Sequence, residues 1–476
     1  MRRNWLHRLK KGPVARGLTL AALEGAVVGG MFAFVEAWMV PLLKVRLHTS
    51  DQLIGLLTVA PMLSATLLGP IAQPIIARLG GNKRTVTITC IIQVIAILGL
   101  SIPLHLAGAP WAMWAGLSCA MLVNAVGAVG GPAWMAWMGG MIPRSIRGRF
   151  TSNRAQIHHA ARIAFALLFM GIMSRWTAAE TWVGLQILIV IAVLSRIAST
   201  WLVVRSPEMP NRVVATTSST SKLAQQEARD FATFMKSIHR SSLGRWTLVW
   251  AALHFGVMLA GPYFLVYWLE TIERGGLGLA DDPLRYTILV YTSAAIRLAV
   301  YPLVGRLVDH FGPTAMLRFA VAGIALVPMG WALTTSFPLL ILTEMVSGFS
   351  WCIAECSVGV LLFSCSNDGA ERARFIGYHQ TVCALVIVVA TLLGGQLLVL
   401  LPEFNGSHFR CLFLVSTALR LPAVLLALRW LPPLHGGQNL RGVWRLVPGL
   451  SPTITLSRGV MRTWRRPLPP DSRPPR

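Results

Sequence analysis

Six ionisable side chains stand inside stretches that are otherwise apolar, and any chemistry in this sequence begins with them. Glu24, Glu36, Arg196, Arg297, Glu344 and Glu355 each interrupt a hydrophobic run, and Asn124 and His254 add neutral polar groups. A charge in a low-dielectric setting needs a partner or a polar cavity, so such residues mark ion pairs, solute sites or proton-exchanging groups. Burial pushes a carboxyl toward its neutral form, and an approaching arginine draws it back to the ionised one. A carboxylate beside Arg297 therefore suits a proton carrier as well as a structural ion pair. Glu344 and Glu355 are eleven residues apart, which on a helix returns to nearly the same face. Gly348 and Trp351 share that face, and Arg297 has Tyr301 one turn away. Glu24 and Glu36 differ by roughly 120° in azimuth, with Glu36 nearer the outer end. The seven cysteines, at 90, 119, 352, 356, 365, 383 and 411, fall within or at the ends of apolar runs. They read as small buried hydrophobes, so neither a disulfide framework nor a metal site is expected, and no cofactor.

Twelve apolar stretches must carry these groups: roughly 17–41, 53–77, 85–106, 110–142, 157–174, 181–204, 246–270, 286–305, 314–335, 337–364, 375–402 and 409–430. Each is long enough to cross a bilayer as a helix, and lipid leaves backbone polar groups no other way to be satisfied. Of the 476 residues 54% are hydrophobic and 13% charged, about half the charge of a soluble chain. The fold class is an all-α polytopic membrane protein. A net charge of +25 might point to nucleic acid, but most of the 43 Lys and Arg sort to one side of these spans. That is the positive-inside pattern, which puts both termini in the cytoplasm and leaves no basic face for a nucleic acid. Trp134 and Trp137, at the cytoplasmic end of the fourth span, read as interface anchors. Arg196 reads as a packing or snorkelling residue.

The long hydrophilic stretch 205–245 divides the chain into two groups of six spans, 17–204 and 246–431. It opens on Pro207 and Pro210, and Leu223, Ala228, Phe231, Met235 and Ile238 then recur among Lys222, Arg229, Lys236 and Arg240. That pattern is a basic amphipathic helix, lying on the inner leaflet or serving as a solvated tether. Residues 1–16 form a basic N-terminus, and 432–476, rich in Pro and Arg, read as a disordered tail near anionic lipid. The two groups repeat each other. Arg147-Gly148-Arg149-Phe150 reappears as Arg372-Ala373-Arg374-Phe375, 225 residues on. Ala77-Arg78-Leu79-Gly80 reappears 232 residues on as Asp309-His310-Phe311-Gly312. Two motifs at nearly one offset imply duplicated halves.

The stretch Gly305-Arg306-Leu307-Val308-Asp309-His310-Phe311-Gly312 resembles the G-x-x-x-D-x-x-G loop signature of the major facilitator superfamily. The first-half loop ending Arg78-Leu79-Gly80-Gly81-Asn82-Lys83-Arg84 looks like a degenerate copy, with Gln73 and Ala77 where the first Gly and the Asp belong. The Arg147-Gly148-Arg149 loop resembles loops at that place in bacterial members. The resemblance implies two six-helix halves that rock about a midplane site. It implies that spans 1, 4, 7 and 10 line the cavity, which favours Glu24, Glu36, Asn124, His254, Glu344, Trp351 and Glu355, with Arg297 as counter-ion. It implies too that Asp309 latches the halves on the inner side near Arg149, with Gly305, Gly312, Arg147, Arg372 and Arg374 in the same gate. Span 5 lacks the glycine-proline motif of drug antiporters, and Gly130-Gly131-Pro132 lies in span 4, so drug efflux is not expected.

The reading is a secondary transporter for a small solute, proton-coupled by its buried carboxylates. No P-loop points to ATP, and no HExxH motif points to a metalloenzyme. A transporter-like sensor or assembly partner stays open, as does a membrane-embedded enzyme. The expected partners are the solute, protons and lipids, and the expected state is a monomer. Arg outnumbers Lys 37 to 6, which fits a GC-rich genome and, with the resemblance, a bacterial inner membrane.

Overall fold

The computed structural model describes residues 12–39, 42–43, 62–106, 108–175, 181–208, 230–279 and 282–431. They lie in one compact unit, Met1–Pro433. The tail from Leu434, most of the 205–245 linker and most of the N-terminal segment lie outside the described residues.

The first half contains α1 (Pro13–Val27), α2 (Gly29–Ala37), α3 (Ala72–Arg78), α4 (Asn82–Gly99), α5 (Ser101–His105), α6 (Ala112–Met141), α7 (Arg147–Met173) and α8 (Thr181–Arg205). A short α9 (Phe231–Ser237) precedes the second half. That half contains α10 (Ser242–Leu269), α11 (Pro283–Phe311), α12 (Pro313–Leu333), α13 (Phe337–Ser364), α14 (Gly369–Leu400) and α15 (His408–Trp430). Among the described residues, 11 helical segments are long and apolar enough to cross a membrane. The remaining expected span, 53–77, lies partly outside them, with 62–77 as its described part.

The expected boundaries fail where charged residues open or close a helix. α7 begins at Arg147, ten residues before the expected 157. α14 begins at Gly369 rather than 375, and α11 runs to Phe311 rather than 305. A hydropathy window reads these polar turns as loop, although their side chains are satisfied by neighbouring helices. Gly312, at φ +86°, closes α11 in a conformation that costs glycine little, and Pro313 opens α12 with its ring already at a helical φ. Of the expected amphipathic helix, the described part is α9. Asp230 caps it by accepting from the Thr233 N–H at 2.6 Å, which holds its carboxyl below the ordinary range. Its Phe234 is buried against the rings of Phe375 and Tyr378 on α14.

Three apolar cores show how the halves meet. One, built on Phe34, Leu100, Phe169 and Leu188, belongs to the first half alone. Another, built on Tyr267, Trp331, Leu412 and Phe413, belongs to the second alone. The third joins Trp137, Met138 and Phe150 of the first half to Phe363 and Ala373 of the second. The bundle is thus fused at the end that carries residues 147–149 and 305–312. At that end backbone meets backbone at two places. A Cβ on Gly148 would meet the Gly305 carbonyl at 2.6 Å, and one on Gly305 would collide with Ser152. Gly69 and Gly377 face each other in the same way. Small residues are what allow helices to approach this closely. Gly305→Leu should therefore wedge α7 from α11 at that end. Ser357, fully buried on α13, should become reactive as Ser357→Cys toward a membrane-permeant maleimide. Unchanged protection of that cysteine would mean that the crossing does not hold the end shut.

Candidate functional site

The fused end is organised by one carboxylate. The first N–H groups of α7 have no side-chain cap of their own, because the chain enters through Pro143 and Ile146. Asp309, at the end of α11 in the other half, fills that place. Its Oδ1 accepts from the Gly148 N–H at 2.6 Å, and its Oδ2 from the Arg149 N–H at 3.2 Å and Arg149 Nε at 2.7 Å. A carboxylate at these positions satisfies orphan donors and meets the positive end of the helix dipole. Around it the duplicated arginines reach across. Arg147 donates to its own half at the carbonyls of Gly139 (2.9 Å) and Ile142 (3.2 Å), and to the other half at Ser364 Oγ (2.6 Å). Arg372 donates to Ala136 of the first half at 2.6 Å and to Ser366 of its own at 3.0 Å. Arg374 lies half-buried one turn or less beyond Arg372 in α14.

Further along α11 and α13 lies the second constellation. Glu355 Oε1 accepts from Arg297 Nη1 at 2.6 Å, and Oε2 accepts from Tyr301 Oη at 2.6 Å. His159 of α7 places Nε2 3.8 Å from Oε2, and its ring stacks on Tyr301 at 5.8 Å between centroids. Arg297 lies 5.9 Å from the Trp351 ring centre, and Trp351 meets His254 and Trp250 edge to face. A carboxylate of the second half thus stands within reach of an imidazole of the first. Beside it opens a cavity of about 370 Å³, lined among others by Glu36, His159, Arg162, Ser293 and Arg297.

The other expected site residues are distributed differently. Glu344 is buried and accepts from Trp331 Nε1 on α12 at 3.2 Å. Glu24 is bound by Arg154 at 2.7 Å and by Ser199 Oγ at 3.1 Å. Arg196, expected to pack or snorkel, packs: it is buried, donating to Ser199 at 3.1 Å and to Gln93 at 2.5 Å. This network ties α1, α4, α7 and α8 together. Glu36 is about half exposed and paired with Arg162. Asn124 donates to Ala120 of its own helix at 3.0 Å. Trp134 and Trp137 are not interface anchors: Arg154 covers the Trp134 ring at 4.1 Å, and Trp137 is buried. α6 leans on α13 here, so both rings turn into the bundle.

Sequence reasoning missed His158, His159, Arg154 and Arg162. The signal was present in the string Arg154-Ala155-Gln156-Ile157-His158-His159-Ala160-Ala161-Arg162, whose polar residues recur at helical spacing. Starting the span at 157 hid its polar face.

The family model described as Major Facilitator Superfamily matches residues 22–391 of this chain. A bacterial homologue of the iron transporter ferroportin, in an outward-facing state, superposes with a TM-score of 0.65 at 15% identity, over 87% of this chain and 98% of its own. The proton:xylose symporter XylE gives 0.64 at 14%, over 91% and 98%. The E. coli fucose:proton symporter FucP gives 0.65 at 9%, over 87% and 98%. A tetracycline resistance protein of class H from Pasteurella multocida is 25% identical over 115 residues, 24% of this chain and 28% of that protein. At these identities the structural likenesses speak for the fold.

Asp309→Asn keeps the shape of the cap and removes its charge. It should weaken the joined end by about 1–2 kcal/mol, the scale of a carboxylate at a partly buried helix N-terminus. Alkylation of Ser357→Cys from that end should quicken accordingly. An unaltered rate in the Asp309→Asn protein would reduce Asp309 to a turn residue.

Proposed function

This chain belongs to the major facilitator superfamily, and from that premise we propose that it moves a small solute by alternating access, coupled to protons exchanged at Glu355. Membership supports a multi-pass membrane transporter over an enzyme. The observation that carries the coupling is the contact set of Glu355, held by Arg297 and Tyr301 of its own half and faced by His159 of the other. Rocking the halves changes the distance to His159 and opens or closes the carboxylate to water. Two of the structural relatives named above are themselves proton symporters, which is consistent with this direction.

The fused end fits the cytoplasmic side. It is the end at which the basic loops sort, and the Asp309 cap together with the two glycine crossings would be its gate. The outer ends, with separate cores, would then form the open vestibule. The membrane is the bacterial cytoplasmic one, and residues 205–245 and 432–476 are cytoplasmic. In a background without native cysteines, Ala215→Cys and Leu440→Cys should resist impermeant maleimide in intact cells and react after permeabilisation. Labelling of either from outside would reverse the orientation.

Glu355→Gln should abolish concentrative transport in proteoliposomes while counterflow of preloaded solute persists. Retention of the wild-type pH dependence by that variant would remove Glu355 from the proton path. If it fails to fold, Glu355→Gln with Arg297→Gln should recover expression, since a lone buried charge is worse than none.

A further inference from the structure

The walls of the cavity between the halves are chemically one-sided. Arg162 and His159 enter from α7 and Arg297 from α11, so three basic side chains border about 370 Å³. The carboxylates nearby are already engaged, Glu36 by Arg162 and Glu355 by Arg297 and Tyr301. Among the described residues Ser293 is the only neutral hydroxyl of the lining, and the rest is apolar, Ala33, Ala37, Ile163 and Ala166 among it. A polyol would need many neutral donors and acceptors, and a cation would need a carboxylate without a partner. Neither is offered among these residues. A guanidinium has five N–H donors, and each of these two places one on its carboxylate. The remaining edges match a second carboxylate, which a planar fork can hold bidentately.

We propose that the cavity takes a small organic anion with an apolar body, whose carboxylate bridges Arg162 and Arg297, and that this anion and Glu355 compete for Arg297. The proposal deepens the transport reading and rests on it for the word cargo alone. The charge count gives the coupling. Arg162, Arg297, Glu36 and Glu355 sum to zero with His159 neutral. One proton on Glu355 releases Arg297 and leaves one positive charge, which one carboxylate neutralises. Proton and anion then load together. The groups facing Glu355 are Arg297 and Tyr301 on α11, His159 on α7, and Cys352 and Cys356 on its own helix. His254 of α10 lies against Trp351, one turn from Glu355 on α13. Of these, Arg297 is the cation within bonding distance, so it is the group that protonation sets free.

The test is thermal stabilisation of the purified full-length protein by propionate, hexanoate, benzoate and phenylacetate, each set against its amide. At least one carboxylate should raise the melting temperature where its amide does not, and more at pH 6 than at pH 8. Arg162→Lys and Arg297→Lys keep the charge and lose the fork, so each should weaken that binding by about tenfold. Glu355→Gln should bind the same anion more tightly than the wild type and equally at both pH values. Removing an acid that merely shapes the pocket would not do so. Stabilisation by the amides as strongly as by the acids, or by none of the eight, overturns the proposal. Proton uptake into proteoliposomes driven by a neutral solute also overturns it and leaves the transport reading standing. Anion binding without any flux supports the anion site and removes the transport reading.

Discussion

An ionised group inside an apolar bundle is tolerable only with a partner in reach, and the partners decide how these helices stand. Glu24 fastens α1 to α7 through Arg154, and Glu36 fastens α2 to α7 through Arg162. Glu355 fastens α13 to α11 through Arg297. Removing one member of a well-buried pair costs about 3–5 kcal/mol, because the survivor keeps its desolvation and loses its attraction. The Glu24 network is the more deeply buried, and two further helices close around it. The Glu355 set is part-exposed beside a cavity and touches the opposite half. The same chemistry therefore stiffens one half and leaves a movable contact in the other.

The join between the halves follows from the duplication. Arg147 and Arg372 occupy equivalent places, and each hands a hydrogen bond to the opposite half. Gly148 with Gly305 and Gly69 with Gly377 make two backbone crossings on the two flanks. The duplication is incomplete where Asp309 corresponds to Ala77. α7 receives a carboxylate cap from the other half, whereas the matching position on the first half offers a methyl group. Electrostatic hold at this end thus falls mainly on one flank, while the other rests on close packing. An unequal pair of flanks gives a bundle that can loosen on one side first.

Much of this was legible in the sequence, for physical reasons that differ from residue to residue. Apolar runs above twenty residues, the arginine sorting and the repeated loops determine spans, halves and family without any coordinates. Arg297 with Glu355 was legible because a charge among leucines has few alternatives, and Asp309 because its loop resembles a family signature. His159 was not, because a span started at 157 cuts the polar face off from Arg154 and leaves the histidines at a span end. The hydrogen-bond partner of Glu344 was not legible either, for a different reason. A shared helical face brings two side chains to one azimuth, but 11 residues of rise put them beside different neighbours, here Trp331 on α12 and Arg297 on α11. Trp134 and Trp137 turned inward because the packing of α6 against α13 is a tertiary fact that composition does not record.

The central claim is that the Glu355 carboxyl gains and loses a proton within its own fold. Infrared difference spectroscopy of the purified protein across a pH titration reads that event directly. A protonated-carboxyl band should grow as the pH falls in the wild type, disappear in Glu355→Gln, and titrate at a different pH when Arg297 is changed to lysine. Superimposable difference spectra of the wild type and Glu355→Gln over the whole titration would contradict the account.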